Sequence, residues 1–170
     1  MPKENETENV FIGIDPGKQG GLVYIQGGEI CYTQMPSTER EIWNWFDEIP
    51  EPEGPLKERI AVIEKVHAMP GQGVTSMFTF GQGYGFLRAC LIASGIRFQE
   101  VTPRTWQKEV GVPAKPKELT KPEHKLRLLA IAQQLFPRMP LWKEKKAKGR
   151  QLAVCDALLI AEYCRRENNA

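Results

Sequence analysis

Three carboxylates stand where an acid is costly. Asp15 ends the apolar run VFIGID, just before Pro16-Gly17; Glu64 ends a second run, RIAVIE; Asp156 interrupts AVCDALLIAEY. A carboxylate at the edge of an apolar run needs a cation or a hydrogen-bond donor. Taken singly, each has an ordinary reading: Asp15 as a turn residue, Glu64 paired near Lys65, Asp156 as a helix-start residue. Taken together they suggest more. Adjacent strands can set Asp15 beside Glu64, and a helix crossing that edge can present Asp156 to both. Such a cluster repels itself unless a divalent cation is present. The chain has two histidines, His67 and His124, and four dispersed cysteines, so oxygen ligands and Mg²⁺ or Mn²⁺ are indicated. Two such ions about 4 Å apart activate a water and stabilise the leaving oxygen of a phosphodiester.

The charge distribution points the same way. The net charge is only +2, yet Thr102–Arg150 holds 13 of the 23 Lys and Arg residues and 4 of the 21 Asp and Glu residues. The basic residues are Arg104, Lys108, Lys115, Lys117, Lys121, Lys125, Arg127, Arg138, Lys143, Lys145, Lys146, Lys148 and Arg150. Two readings stand: a solvated helix face with a polar loop, or a surface for a phosphate backbone, where lysines and arginines release bound counterions. A carboxylate cluster beside that segment favours nucleic-acid cleavage.

The elements needed to position these groups can be read from pattern. Val10–Asp15 is expected as a buried strand, followed by Gly20–Ile25 and Ile30–Gln34 with Gly27-Gly28 as the hairpin turn. A short helix opens at Ser37 or Thr38 and runs through Phe46. Arg59–Glu64 is a strand buried on both faces. A helix from about Thr75 to Ser94 follows, then a strand at Arg97–Val101 and a helical turn from Pro103 through Lys108. Pro113–Pro122 reads as a polar loop, His124–Phe136 as a helix, Trp142–Arg150 as a basic loop and Leu152–Arg165 as the last helix. Hairpin strands followed by alternating strands and helices make a mixed α/β sheet with helices on its faces.

Length and composition bound the rest. With 170 residues, 41% hydrophobic and 26% charged, the chain suits one folded domain and excludes fibrous or collagen-like classes. No run approaches the ~18 apolar residues of a membrane span. The polar, acidic start MPKENETENV is unlike a secretory signal. Cysteines without CxxC spacing argue against a zinc knuckle or disulfide framework, and for a reducing compartment. The expectation is a cytoplasmic or nucleoid-associated protein, neither secreted nor membrane-bound. Residues 1–8 are expected to be a disordered tail and 9–167 a single domain.

VFIGIDPGKQGGLVYI, AVIEKVHAMP, FGQGYG and DALLIAEY, in that order, resemble the RuvC-type Holliday junction resolvases of the ribonuclease-H-like superfamily. The resemblance runs from about residue 10 to 165. FTFGQGYGFLRACLIASGIRFQEVTPRTWQKEV brings it nearest to the phage and plastid branches. It implies a ribonuclease-H-like five-stranded mixed sheet in order 3-2-1-4-5 flanked by helices, and a homodimer bound to four-way junction DNA. It implies paired, metal-dependent nicks leaving 5′-phosphate and 3′-hydroxyl ends, with Mg²⁺ or Mn²⁺ (two ions per site) held by Asp15, Glu64 and Asp156. Lys108, in the Thr105-Trp106-x-Lys108 turn, matches a residue placed to steady the scissile phosphate.

Two positions depart from the family pattern. A fourth acid or a histidine is expected shortly before the final one, but Ala153 stands there; aligning on Lys145–Arg150 instead puts Ala147 in the slot. Water or another residue fills that role, or metal binding is weakened, or the protein binds junctions with a weakened or inactive site. Where bacterial members place an aromatic wedge, this chain has His67, either a weak base stack or a surface histidine. Gly71, Gly73 and Thr75 are expected near DNA, their amides meeting phosphates, whereas Gly81 and Gly85 suit close helix packing in a dimer. Lys115, Lys117, Lys121, Lys143, Lys145, Lys146, Lys148 and Arg150 are the candidate backbone contacts. Trp106 and Trp142 either stack on bases or anchor the core, and His124 reads as solvent-facing. An actin-like phosphotransferase, suggested by GIDPGKQGG alone, needs a second domain; an RNA–DNA hybrid nuclease is a further alternative.

Overall fold

A computed structural model describes residues 9–54, 56–67, 71 and 73–169. The expected tail at 1–8 lies outside the described residues. Strands β1 (Val10–Asp15), β2 (Gly21–Gln26), β3 (Glu29–Gln34), β4 (Arg59–Glu64) and β5 (Arg97–Val101) form one sheet in the order β3-β2-β1-β4-β5. β1 is central, antiparallel to β2 and parallel to β4, and β4 is parallel to β5. This is the expected sheet, strand for strand. Gly27 and Gly28 both have positive φ, 57° and 86°, which two-residue hairpins need to match the strand twist.

The pleat sends alternate residues to opposite faces, and each face has its own core. Phe11, Val23, Ile25, Ile60 and Val62 pack with α3 (Pro103–Glu109), α4 (Lys121–Leu135) and α5 (Lys148–Asn168). Val10, Ile12, Ile14, Leu22, Ala61 and Ile63 pack with α1 (Glu39–Asp47) and α2 (Val74–Ala93). α1 begins at a Thr38–Glu41 capping box, in which the Thr38 hydroxyl accepts from the Glu41 amide and the Glu41 carboxylate accepts in return.

Two helices start earlier than composition suggested. α4 starts at Lys121, inside the expected Pro/Lys loop, because Thr120 and Glu123 form a second capping box and Pro122 sits in the first turn, where its missing N–H costs nothing. α5 starts at Lys148 and runs to Asn168, so Lys148 and Arg150 belong to a helix. The segment before it is partly a 3₁₀ turn, Pro140–Lys143, pinned by the buried Leu141. Lysines masked these starts: the α4 capping box does not depend on an apolar stripe, and α5 begins after Ala147 with no side-chain cap.

α5 crosses β1 and β2 so closely that only glycine fits beneath it. A Cβ on Gly13 would collide with the Ala157 carbonyl oxygen and the Ala161 nitrogen, and one on Gly21 would stand 3.0 Å from the Ala153 carbonyl oxygen. Every residue from Ala153 to Cys164 is buried, as an apolar helix pressed into a core requires.

Candidate active site

β1 and β4 run side by side in parallel, with Ile14 opposite Ile63, so their C-terminal ends carry Asp15 and Glu64 to the same edge of the sheet. α5 lies across that edge because Gly13 and Gly21 let it approach. Asp156 sits one residue before Ala157, the residue that meets Gly13. Three acids distant in sequence thus feel one another. Burial holds the Asp15 carboxyl well above the usual carboxylate range, and the charges of Asp156 and Glu64 push it further, against Lys125. Burial also raises Glu64, opposed by a hydrogen bond from Trp106.

Each acid has a partner. The Lys125 ammonium, on α4, donates to Asp156 Oδ2 and lies 4.0 Å from Asp15 Oδ2. The Trp106 indole N–H, fully buried in α3, donates to Glu64 Oε2 at 2.8 Å. The Cys155 thiol donates to Asp156 Oδ1 at 3.2 Å and, raised by burial, stays protonated. Asp156 is 7% exposed and Glu162, at 3%, is the other buried charge among the described residues. Glu162 differs in kind: Arg165 and Arg166 both donate to it, and Arg166 continues to the Glu109 carbonyl. That carboxylate is satisfied within the fold. Asp15 and Asp156 instead share one lysine.

Among the described residues, no three His, Cys, Asp or Glu side chains are arranged to hold a metal ion. The donor set nonetheless suits a hard cation: three carboxylates at one edge, with a positive group standing between two of them. Ala153, the expected slot of a fourth acid, is buried on α5 where its backbone presses on Gly21; Ala147, the other slot, is the residue before the helix.

The remaining expected residues divide by location. Lys108 is exposed in the last turn of α3, and no hydrogen bond or ion pair joins it to the acids among the described residues; the lysine that meets them is Lys125. His67, Gly71, Gly73 and Thr75 are exposed between β4 and the first turn of α2. Lys115, Lys117 and Lys121 are exposed before and at the start of α4, and Lys143, Lys145, Lys146, Lys148 and Arg150 around the start of α5. Arg150 pairs with Glu144. His124 is half-buried rather than solvent-facing, with Nε2 3.3 Å from Gln107 Oε1. Trp106 and Trp142 bond inward, Trp142 to the Phe136 carbonyl at 2.8 Å.

Lys125 and the role of Trp106 escaped the sequence reading. Lys125 was one cation among thirteen, and its face is decided by the helix start at Thr120. For Trp106 a signal exists: it follows β5, the strand beside β4, by one helical turn, which suffices to reach the end of Glu64's strand.

No protein-family model matches this chain and no curated protein sequence matches it. Solved structures do. Thermus thermophilus RuvC in complex with a Holliday junction substrate aligns over 96% of this chain and 98% of its own, at 15% identity and a TM-score of 0.52. A second structure of RuvC from that organism aligns over 93% and 96%, at 16% identity and a TM-score of 0.48. The chain has the RuvC-type, ribonuclease-H-like fold.

Proposed function

We propose that this protein is a structure-selective endonuclease that cuts four-way DNA junctions as a homodimer, by paired nicks dependent on Mg²⁺ or Mn²⁺. The carrying observation is that Asp15, Glu64 and Asp156 reach one sheet edge from three separate elements, in a fold shared with a protein solved on a Holliday junction. Asp15, Glu64 and Asp156 would hold the cations, two per site. Such ions make water a nucleophile at neutral pH and stabilise the departing oxygen of a phosphodiester. The chain's own groups prepare the place. Trp106 fixes the Glu64 carboxylate, α5 seated on Gly13 fixes Asp156, and Lys125 balances the two aspartates. The exposed lysines before α4 and around the start of α5 support a backbone-tracking surface, with His67, Gly71, Gly73 and Thr75 exposed between β4 and the first turn of α2. Affinity resting on such contacts falls steeply with salt.

The test is a labelled mobile junction incubated with the purified protein in each metal. Symmetric nicks with 5′-phosphate ends are expected from the wild type, with D15N binding the junction but leaving it whole and an RNA–DNA hybrid staying uncut. A junction left intact by the wild type in both metals, and by A153D and A147D as well, overturns the nuclease reading. A second reading has one observation in its favour: Ala153 fills the slot of the fourth acid. In that reading the protein binds junctions with a weakened or inactive site, and A153D gains cleavage the wild type lacks.

A further inference from the structure

The acid cluster already contains a cation. Lys125 Nζ donates to Asp156 Oδ2 and stands 4.0 Å from Asp15 Oδ2, so one ammonium ties β1 to α5 across the site. An ammonium has three donors and no acceptor. It cannot share those oxygens with a second cation without repulsion at contact distance. The Lys125 side chain is 39% exposed while those of Asp15 and Asp156 are 13% and 11% exposed, so the lysine enters from the solvent side on a flexible stem. Its helix does not depend on it. α4 is held by Leu128, Leu129 and Ala132 in the core and by the Thr120–Glu123 capping box, and the ammonium can swing out while α4 stays.

We propose that Lys125 is the resident cation of the acid cluster, which an incoming divalent ion must displace, so that this lysine sets the affinity threshold for metal. The inference rests on the reading of the three acids as a metal centre. It predicts an unusual sign: deleting a well-bonded site residue tightens metal binding. The metal-free variant, in turn, loses the compensation of two largely buried aspartates and becomes less stable.

The experiment is calorimetric titration of the full chain with MnCl₂ alone, for the wild type, K125M and D15N, with melting curves of the metal-free forms. K125M is expected to bind Mn²⁺ about tenfold tighter or better, to melt lower than the wild type without metal, and to regain the difference when Mn²⁺ is added. D15N is expected to lose binding. An equal or weaker affinity in K125M, beside a wild type that binds through Asp15, overturns the inference and leaves the metal centre standing. No binding by either protein removes both. A second measurement serves if K125M does not fold: acetylation of wild-type Lys125 relative to the exposed Lys18, read by peptide mass. That ratio should rise severalfold on adding Mn²⁺, and an unchanged ratio counts against displacement.

Discussion

The two longest helices have similar length, and the fold uses them in opposite ways: the more apolar one is the less buried. α5 is buried without a break from Ala153 to Cys164, seated on two glycines of the sheet. α2 buries only Leu87, Cys90 and Leu91 of its twenty residues, all in its C-terminal half. Its first half leaves Val74 80% and Phe78 67% exposed, and a Cβ on Gly81, Gly83 or Gly85 would meet nothing. The glycines of β1 and β2 are consumed by packing within the chain; those of α2 are not. Apolar content therefore does not reveal which helix is core. What separates them is the surface opposite, pleated sheet with its Cβ atoms removed for α5 and open space beside the glycines of α2. The first half of α2 is where the proposed second copy has most to cover.

Four substitutions sharpen or break this contrast. The largest effect is expected at Asp156, on the buried helix: D156N should lower junction cleavage about 1,000-fold, or ~4 kcal/mol of barrier, in a gel assay, while F78S on α2 leaves single-turnover cleavage at saturating protein within a few-fold. Equal losses would mean that both helices serve the chemistry. Next, G13A should destabilise the fold by about 3 kcal/mol in urea, because the new methyl lifts α5 from β1. G81A, in open space, should stabilise the isolated chain by up to ~1 kcal/mol yet weaken self-association by sedimentation. A G81A chain that is less stable would show that α2 is packed after all.

W106F keeps most of the indole's volume and removes its donor. Losing a hydrogen bond to a half-buried carboxylate costs about 2 kcal/mol, read as a fall in Mn²⁺ affinity with the fold retained. The smallest effect concerns pH. Asp15 titrates well above its ordinary value in the metal-free protein, so the folded state keeps a proton that the unfolded chain has released. Stability therefore falls as pH rises from the ordinary aspartate value, about 3.9, through the raised one. D15N cannot ionise there. Its melting temperature should gain on that of the wild type across this window and hold a constant lead above it.

The sheet was legible because its signals are local. Alternating or continuous apolar runs, Gly27-Gly28 between two of them, and Pro16-Gly17 after Asp15 each mark an element without reference to the rest of the chain. The three acids were legible for a related reason, since each is a lone charge against an apolar run. Their partners were not. Lys125 lies in a run of cations where pattern cannot single one out, and its orientation depends on a capping box within a segment that reads as loop. Gly13, Gly20 and Gly21 looked like turn or strand residues, although a Cβ on Gly20 would strike the Asp15 carbonyl and those on the other two would strike α5. Close approach is a property of pairs, and for Gly13 and Gly21 the α5 member lies more than a hundred positions away. Gly81 and Gly85, whose spacing suits close packing, have nothing among the described residues for an added Cβ to meet.

The placement of Asp156 on α5 has a temporal consequence. β1 to β3 form a local meander and can pair early, but the acid edge needs β4 beside β1 and then a helix near the far end of the sequence. A nascent or partly unfolded polypeptide holds Asp15 with neither of its companions in place. Whatever reactivity the assembled acids support is thus withheld until α5 docks on Gly13.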